Sequence, residues 1–268
     1  MRVTFIGGGN MGEAIMGALL RKKVVTPEEI TVSDISPTRL DDLFDKLGVN
    51  VTLNNSFAVT GAEVIILAVK PQVLSAVLEE LNGKLAPSQL VLSIVAGAAT
   101  ARLRKGLGHA KIIRSMPNTP AQIGEGITVW KSTREVTKTQ KGIARAVFNV
   151  MGMEIEVADE KYLDMATAVS GSGPAYVFYF VESLIEAAVK LGFSRDNAVI
   201  LVLQTVNGSI HLMQKSDKTP AELRKAVTSP NGTTFAAITR LEKDDFQGLL
   251  YKAIEAAYSR AKELGKQK

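Results

Sequence analysis

Through the first half of the chain, short β-branched runs alternate with segments that carry apolar residues at helical spacing. Residues 3–6, 30–33, 64–69, 91–95 and 111–114 read as strands, several of them apolar throughout. Such runs suit a parallel sheet covered on both faces by helices. Between them, residues 11–22, 37–47 and 72–81 have the helical period, so the pattern predicts βαβ units. Right-handed crossovers then dictate a doubly wound sheet. Two further strand-like runs, 126–130 and 153–157, flank a helical stretch at 135–150.

Beyond about Asp159 the strand signals stop. Residues 160–168, 174–191, 195–215, 220–227 and 246–263 all carry the helical period. The expectation is an α/β first domain, residues 1–158, and an all-α second domain, residues 159–268. Several second-domain helices are apolar on more than one face; residues 198–203 read Ala-Val-Ile-Leu-Val-Leu. A helical domain of roughly a hundred residues has little interior in which to hide them. Another copy of the chain is therefore the expected partner.

Composition narrows the function classes. The 268 residues hold 32 Lys and Arg against 27 Asp and Glu, a formal net charge of +5 spread along the chain, and only 6% are aromatic. Without a basic stripe and interleaved aromatics, no nucleic-acid partner is expected. No apolar run is long enough to cross a membrane, and the strand pattern starts at the third residue, so the expected setting is the cytoplasm. The absence of cysteine removes disulfides, thiolate nucleophiles, iron–sulfur clusters and thiolate zinc sites together. The two histidines, His109 and His211, lie far apart in sequence, so no metal site is expected.

The first strand runs straight into Gly7-Gly8-Gly9-Asn10-Met11-Gly12. This fits G-x-G-x-x-G, and its place between a strand and a helix makes it a dinucleotide signal rather than a plain glycine turn. Gly7 permits the tight turn, Gly9 lets backbone approach a pyrophosphate, and Gly12 lets the helix pack closely on the strand. The amides at the helix start then hold the anion. Asp34, at the end of the second strand, stands where a carboxylate takes the ribose hydroxyls, which favours NADH. Ser33, Ser36 and Arg39 beside it are able to hold a 2′-phosphate, so NADPH stays open. Ligands in such sheets lie outside the carboxyl ends of the strands. Those ends read Ala68-Val69-Lys70-Pro71, Val95-Ala96-Gly97 and Met116-Pro117-Asn118-Thr119-Pro120. Their small residues leave room for a nicotinamide. Asn118 is either a partner for its carboxamide or a turn former, and Lys70 either a site residue or a surface lysine.

In the second domain, Ser170-Gly171-Ser172-Gly173-Pro174 and Thr228-Ser229-Pro230-Asn231-Gly232-Thr233-Thr234 each precede a helix. Free amides and hydroxyls at helix starts suit a carboxylate ligand, although two capped helices without a ligand fit as well. Neither histidine has acid–base company. A substrate already carrying positive charge, such as a protonated imine, needs little acid catalysis, and positioning with a hydroxyl group suffices.

Taken together these stretches resemble the pyrroline-5-carboxylate reductases. The matching residues are Phe5 to Gly12, Ala68 to Pro71, Ile113 to Pro120, Gly171 to Tyr176 and, most specifically, Leu223 to Thr234. The resemblance covers essentially the whole chain. It implies a Rossmann domain followed by an all-α dimerisation domain, assembled as a homodimer or as a decamer of five dimers. It also implies hydride transfer from NADPH or NADH to the imine carbon of 1-pyrroline-5-carboxylate, the step that yields L-proline. Carried over by position, the substrate carboxylate meets Ser229 and the amides of Gly232, Thr233 and Thr234. Thr234 is the catalytic hydroxyl at the ring nitrogen, and Glu160 lies near the substrate. Cofactor contacts fall on Gly7, Gly9, Asn10, Met11, Gly12, Ser33, Asn55, Ala68, Val69, Lys70, Pro71, Ala96 and Gly97, beside the Asp34 and Asn118 read above. Asn231 stands where the family commonly has glycine, which calls for a left-handed backbone that Asn tolerates.

Three other readings compete. A β-hydroxyacid-type dehydrogenase needs a lysine in the first long second-domain helix, where Lys161 comes too early and Lys190 too late. A nucleotide-sensing protein has no use for the hydroxyl cluster at 229–234. A reductase of the six-membered imine, piperideine-carboxylate, differs only in ring size.

Overall fold

The computed structural model describes residues 1–266. Eight strands form one sheet in the order β3-β2-β1-β4-β5-β6-β7-β8. They are β1 (Val3–Ile6), β2 (Ile30–Ser33), β3 (Asn50–Thr52), β4 (Val64–Leu67), β5 (Leu90–Ser93), β6 (Ile112–Met116), β7 (Gly126–Ser132) and β8 (Gly152–Glu156). The helices among them are α1 (Asn10–Arg21), α2 (Pro37–Leu47), α3 (Asn55–Ala58), α4 (Leu74–Leu81), α5 (Thr100–Leu107) and α6 (Lys138–Asn149).

The first six strands are parallel, and two cores account for their apolar sequences. On one face Val3, Phe5, Val64, Ile66 and Leu92 pack with Ile15 and Leu19 of α1, Leu43 of α2 and Phe148 of α6. On the other, Ile6, Ile65, Leu67, Val91 and Ile112 pack with Leu74 and Leu78 of α4 and Leu103 of α5. Adjacent residues of one strand thus enter opposite cores, which is why the strands read as unbroken apolar runs.

The sheet is mixed rather than wholly parallel. β7 runs antiparallel to β6, and β8 pairs with β7 in parallel through α6. The connection from Met116 to Gly126 is too short for the crossover that a parallel pair demands. Three elements carry too little pattern to be read from the sequence. β3 is an edge strand of three residues, two of them exposed. α3 is a single turn, and α5 buries only Leu103 and Leu107 among cationic neighbours.

Past β8 come α7 (Lys161–Ala166), a π-helical turn at Thr167–Gly171, and α8 (Gly173–Lys190). Then follow α9 (Arg195–Lys215), α10 (Pro220–Ala226), α11 (Thr233–Lys243) and α12 (Phe246–Lys266). The chain divides into two compact units, Met1–Ser172 with the chain from Ala257 on, and Gly173–Ala256. The strands do end just before the expected division at 158–159. The first unit nevertheless continues through α7, because Leu163 and Ala166 pack on Val129 of β7. Within the second unit α8 and α9 pack on each other, while Phe178, Tyr179, Leu201, Leu203 and Tyr251 remain exposed. Among the described residues no helix is long and apolar enough to cross a membrane.

Gly152 adopts φ 133°, and a β-carbon there would lie 2.1 Å from the Gly126 carbonyl oxygen across the β7–β8 pair. Gly152→Ala is expected to cost about 3 kcal/mol in urea unfolding. Gly142→Ala, in α6 with open space around it, is expected to gain about 0.5–1 kcal/mol. Equal effects would remove backbone conflict as the cause.

His109 is buried, with Nε2 2.9 Å from the Gln89 carbonyl oxygen. Desolvation pushes its pKa below the ordinary value, with Lys111 adding to the effect and the Gln89 hydrogen bond opposing it. As pH falls below about 6.5 the unfolded imidazole takes up a proton while the folded one stays neutral. Folded stability is therefore lost on acidification below that point, with no contribution from this group above it. His109→Gln is expected to flatten the stability slope between about pH 6.5 and about pH 5 in urea titrations. An unchanged slope would assign the acid sensitivity to other groups.

Candidate active site

The sheet changes winding direction between β1 and β4, and the turn after β1 sits at that switch. Gly7 has φ 101°, and its amide donates to the Ser33 carbonyl at 2.7 Å. A β-carbon on Gly7 would meet the Ala68 carbonyl oxygen at 2.7 Å, and one on Gly12 would meet the Gly7 carbonyl oxygen at 2.8 Å. Glycine at both positions is thus a packing requirement. Gly9 is different: a β-carbon there has nothing within 4 Å. Its bare backbone faces open space at the start of α1, where it is the N-cap without a side-chain cap. The amides that open a helix have no acceptor inside it, so Gly9, Asn10, Met11 and Gly12 offer donors to an anion. These residues fit a dinucleotide pyrophosphate.

Asp34 closes the other side of this loop. Its Oδ2 accepts from the Gly8 amide at 2.8 Å and its Oδ1 from the Ser36 amide at 3.0 Å. Arg39 donates from Nε to the Gly8 carbonyl at 2.6 Å and pairs through Nη2 with Glu13. That hydrogen bond, with help from Lys46, holds the Glu13 carboxyl below the usual carboxylate range against its own desolvation. The peptide of Gly8 is therefore gripped at both its N–H and its C=O. Ser33 departs from its expected role: it is 1% exposed, and its hydroxyl is buried without a partner. Its carbonyl shapes the turn, whereas its side chain faces the protein interior.

The remaining strand ends lie as the doubly wound topology requires. Ala68 and Val69 are half-buried, and exposed Lys70 caps a short 3-10 turn begun by Pro71. After β5, Ala96 is half-buried and Gly97 turns with φ 72°. A β-carbon on Gly97 would lie 2.9 Å from the backbone of Leu264 near the end of α12. Asn118 acts as a turn former, its Oδ1 accepting from the Ile127 amide at 2.9 Å. Asn55 opens α3 and donates to Glu80 at 2.7 Å.

Glu160 stands in a cluster not foreseen from the sequence. Its Oε1 accepts from the Thr100 amide at 2.7 Å, the Thr100 hydroxyl at 3.0 Å and Arg114 Nη1 at 2.9 Å. Arg114 also bonds Asp164 Oδ1 at 2.6 Å. Arg114 sits on β6 and is 5% exposed. A charge inside an otherwise apolar strand demands a carboxylate partner, and that was the signal available in the sequence.

In the second unit, α10 ends at Ala226 and the chain turns at Ser229–Gly232. The Gly232 amide donates to the Ser229 carbonyl at 3.0 Å across Pro230 and Asn231, and Asn231 takes φ 60°. Proline followed by a left-handed residue is the signature of a type II turn, so Asn231 is the left-handed residue its sequence position demanded. The turn delivers Gly232 as N-cap of α11, and a β-carbon there would lie 2.5 Å from Ser229 Oγ. The first intrahelical bond is donated by the Ala236 amide to the Gly232 carbonyl. The amides of Thr233 and Thr234 precede it and have no acceptor within the helix. The Gly232 amide is committed to the turn by its bond to the Ser229 carbonyl. The stretch at 170–174 is no carboxylate cradle of the same kind. Ser170 Oγ is turned back to the Ala166 carbonyl, and the π-helical turn leads almost directly into α8. His211 is exposed on α9, and neither histidine belongs to either group of residues.

Two family models match different parts of the chain. A family model described as pyrroline-5-carboxylate reductase dimerisation matches residues 160–264. One described as NADP oxidoreductase, coenzyme F420-dependent, matches residues 2–97. The pyrroline-5-carboxylate reductase of Synechocystis sp. is 43% identical over 99% of both chains. A solved pyrroline-5-carboxylate reductase from Coxiella burnetii has a TM-score of 0.90 at 40% identity, covering 99% of each chain. The Plasmodium falciparum pyrroline carboxylate reductase, solved with NADP bound, has a TM-score of 0.91 at 34% identity over 99% of this chain and 98% of that one. With such identity over nearly all of its residues, this chain belongs to the pyrroline-5-carboxylate reductase family.

Proposed function

We propose that this chain reduces 1-pyrroline-5-carboxylate to L-proline as an NAD(P)H-dependent oxidoreductase in proline biosynthesis. The observation that carries the reading is the pairing, in one chain, of the Gly7–Gly12 turn with the Ser229–Thr234 turn, both built as anion cradles at helix starts. The first is held by Asp34 and Arg39, with Ala68, Val69, Lys70, Pro71, Ala96 and Gly97 completing the nucleotide's surroundings. Asn10 and Met11 contribute amides, Asn118 holds the backbone beyond β6, and Asn55 lies outside β3.

In the second, Ser229 Oγ and the amides of Thr233 and Thr234 receive the substrate carboxylate. A carboxylate at the positive end of α11 is stabilised without any cationic side chain. Thr234 Oγ1 then accepts a hydrogen bond from the protonated ring nitrogen and holds the C=N bond in line. NAD(P)H, when bound, supplies a hydride to the imine carbon. The C=N π electrons become the nitrogen lone pair, nitrogen keeps its proton, and the secondary amine afterwards takes a second proton from water. No histidine is needed, since the cationic imine is already electrophilic.

The exposed apolar residues of α8 and α9 form the contact between copies, giving a homodimer, alone or within a decamer of five dimers. The enzyme works in the cytoplasm, with no nucleic-acid or membrane partner and no metal.

The direct test is oxidation of NADH and NADPH in parallel, with the five-membered imine and with piperideine-carboxylate. Rapid turnover of the five-membered imine is expected with NADPH, and NADH is expected to serve as well. Turnover of neither imine would sink the reading, and preference for the six-membered ring would reassign the substrate. Thr234→Ala is expected to lower kcat at least tenfold, about 1.4 kcal/mol of transition-state stabilisation, with nucleotide affinity unchanged. An unaffected rate would remove Thr234 from the chemistry.

A further inference from the structure

The three donors gathered on Glu160 Oε1 are not those of a side chain waiting for substrate. α5 begins at Thr100, and its N-cap is Ala99, which has no side chain able to cap it. Glu160, sixty residues further along the chain, supplies the missing cap by accepting from the first helical amide and from the Thr100 hydroxyl. A carboxylate there also faces the positive end of the α5 dipole. The same oxygen receives Arg114 Nη1 from β6, while Asp164 on α7 takes Nη2.

Thr100 closes the loop that leaves β5, and that loop carries Ala96 and Gly97. At its near end the loop is fixed by the sheet. The Ile94 amide donates to the Leu67 carbonyl at 3.1 Å, and the Val95 amide to Ser93 Oγ at 3.3 Å. Inside it the Ala98 amide donates to the Val95 carbonyl at 3.2 Å, with Gly97 left-handed between them. At its far end the anchor is Glu160. Arg114 stands two residues before Met116, where β6 gives way to the Asn118 turn. One carboxylate therefore ties the backbone that leaves β5 to a side chain of the neighbouring strand β6, in a sheet whose nucleotides bind outside the strand ends.

We infer that Glu160 is a positioning residue for the nucleotide, acting through Thr100 and Arg114 on the Ala96–Gly97 loop, and not a group that touches the imine. This rests on the first unit being the NAD(P)H site. Loss of Glu160 leaves Arg114 paired with Asp164, so the buried guanidinium keeps a counter-charge. Thr100→Pro tests the same link from the other side. Proline is tolerated at the first helical position, and Ala99, at φ −59° and ψ 141°, already has the backbone that a following proline requires. That change deletes both the amide donor and the hydroxyl while leaving Glu160 in place.

The experiment is fluorescence titration of the full chain with NADPH in the absence of imine, followed by imine KM at saturating NADPH. Glu160→Ala and Thr100→Pro are each expected to weaken NADPH about fivefold or more, with imine KM unchanged. Glu160→Gln, which keeps an acceptor for the Thr100 amide, is expected to recover part of the affinity. Wild-type protein that fails to bind NADPH overturns the underlying reading of the site. Wild-type binding with both variants unchanged overturns this inference alone. A raised imine KM in Glu160→Ala with unaltered NADPH affinity makes Glu160 a substrate contact instead. Should Glu160→Ala not fold, Thr100→Pro decides by itself.

Discussion

Gly7 leaves β1 at φ 101°, so close to β4 that any β-carbon would press on the Ala68 carbonyl oxygen. That near-contact is the constraint on which the first unit turns. β1 and β4 are hydrogen-bonded neighbours whose chains wind away in opposite directions. A side chain on Gly7 would force the two strand ends apart. Without one, the turn stays low and α1 begins immediately beyond it. Gly12 then rests on the Gly7 carbonyl, and the first amides of α1 face open space. Asp34 and Arg39 complete the device by holding the Gly8 peptide from its donor and acceptor sides at once. The cradle is thus already formed without a ligand, which limits the ordering cost of binding.

The same economy recurs at the other helix starts. Neither α1 nor α5 nor α11 has a side chain of its own capping its first turn. At α5 the first helical amide is taken from a distance by Glu160. α1 and α11 retain theirs. The contrast separates a helix start that serves the fold from two that are left for anions. It also explains why Gly232 has to be glycine. Ser229 Oγ occupies the volume where a side chain would project.

What the sequence discloses follows from how local each cause is. Burial on two faces writes itself into β1, β4 and β5 as apolar runs, and α2 declares its end through Gly48 at φ 67°. The type II turn at 229–232 is likewise local, since proline and a left-handed Asn suffice to define it. By contrast, the direction of β7 leaves no trace in its periodicity and is betrayed only by the shortness of the connection before it. The Glu160 cluster joins residues 46 and 60 positions apart, so no spacing rule finds it. Ser33 reads as a cofactor contact because it neighbours Asp34, yet strand alternation turns its hydroxyl inward.

A site without an acid–base histidine is consistent with these donors and with the substrate they suit. Reduction of a neutral carbonyl leaves an alkoxide, which must be met by a proton from a group tuned near neutral pH. A protonated imine carries its proton in from the start, and hydride addition discharges the cation instead of creating an anion. The protein then has to orient two ligands and keep its dipoles aimed at a carboxylate. Helix starts do this with backbone amides and neutral hydroxyls, indifferent to pH across the range in which a histidine titrates. The one buried histidine, His109, is spent on the Gln89 carbonyl and bears on stability in acid. Its distance in role from the chemistry is what allows catalysis and acid stability to be altered separately.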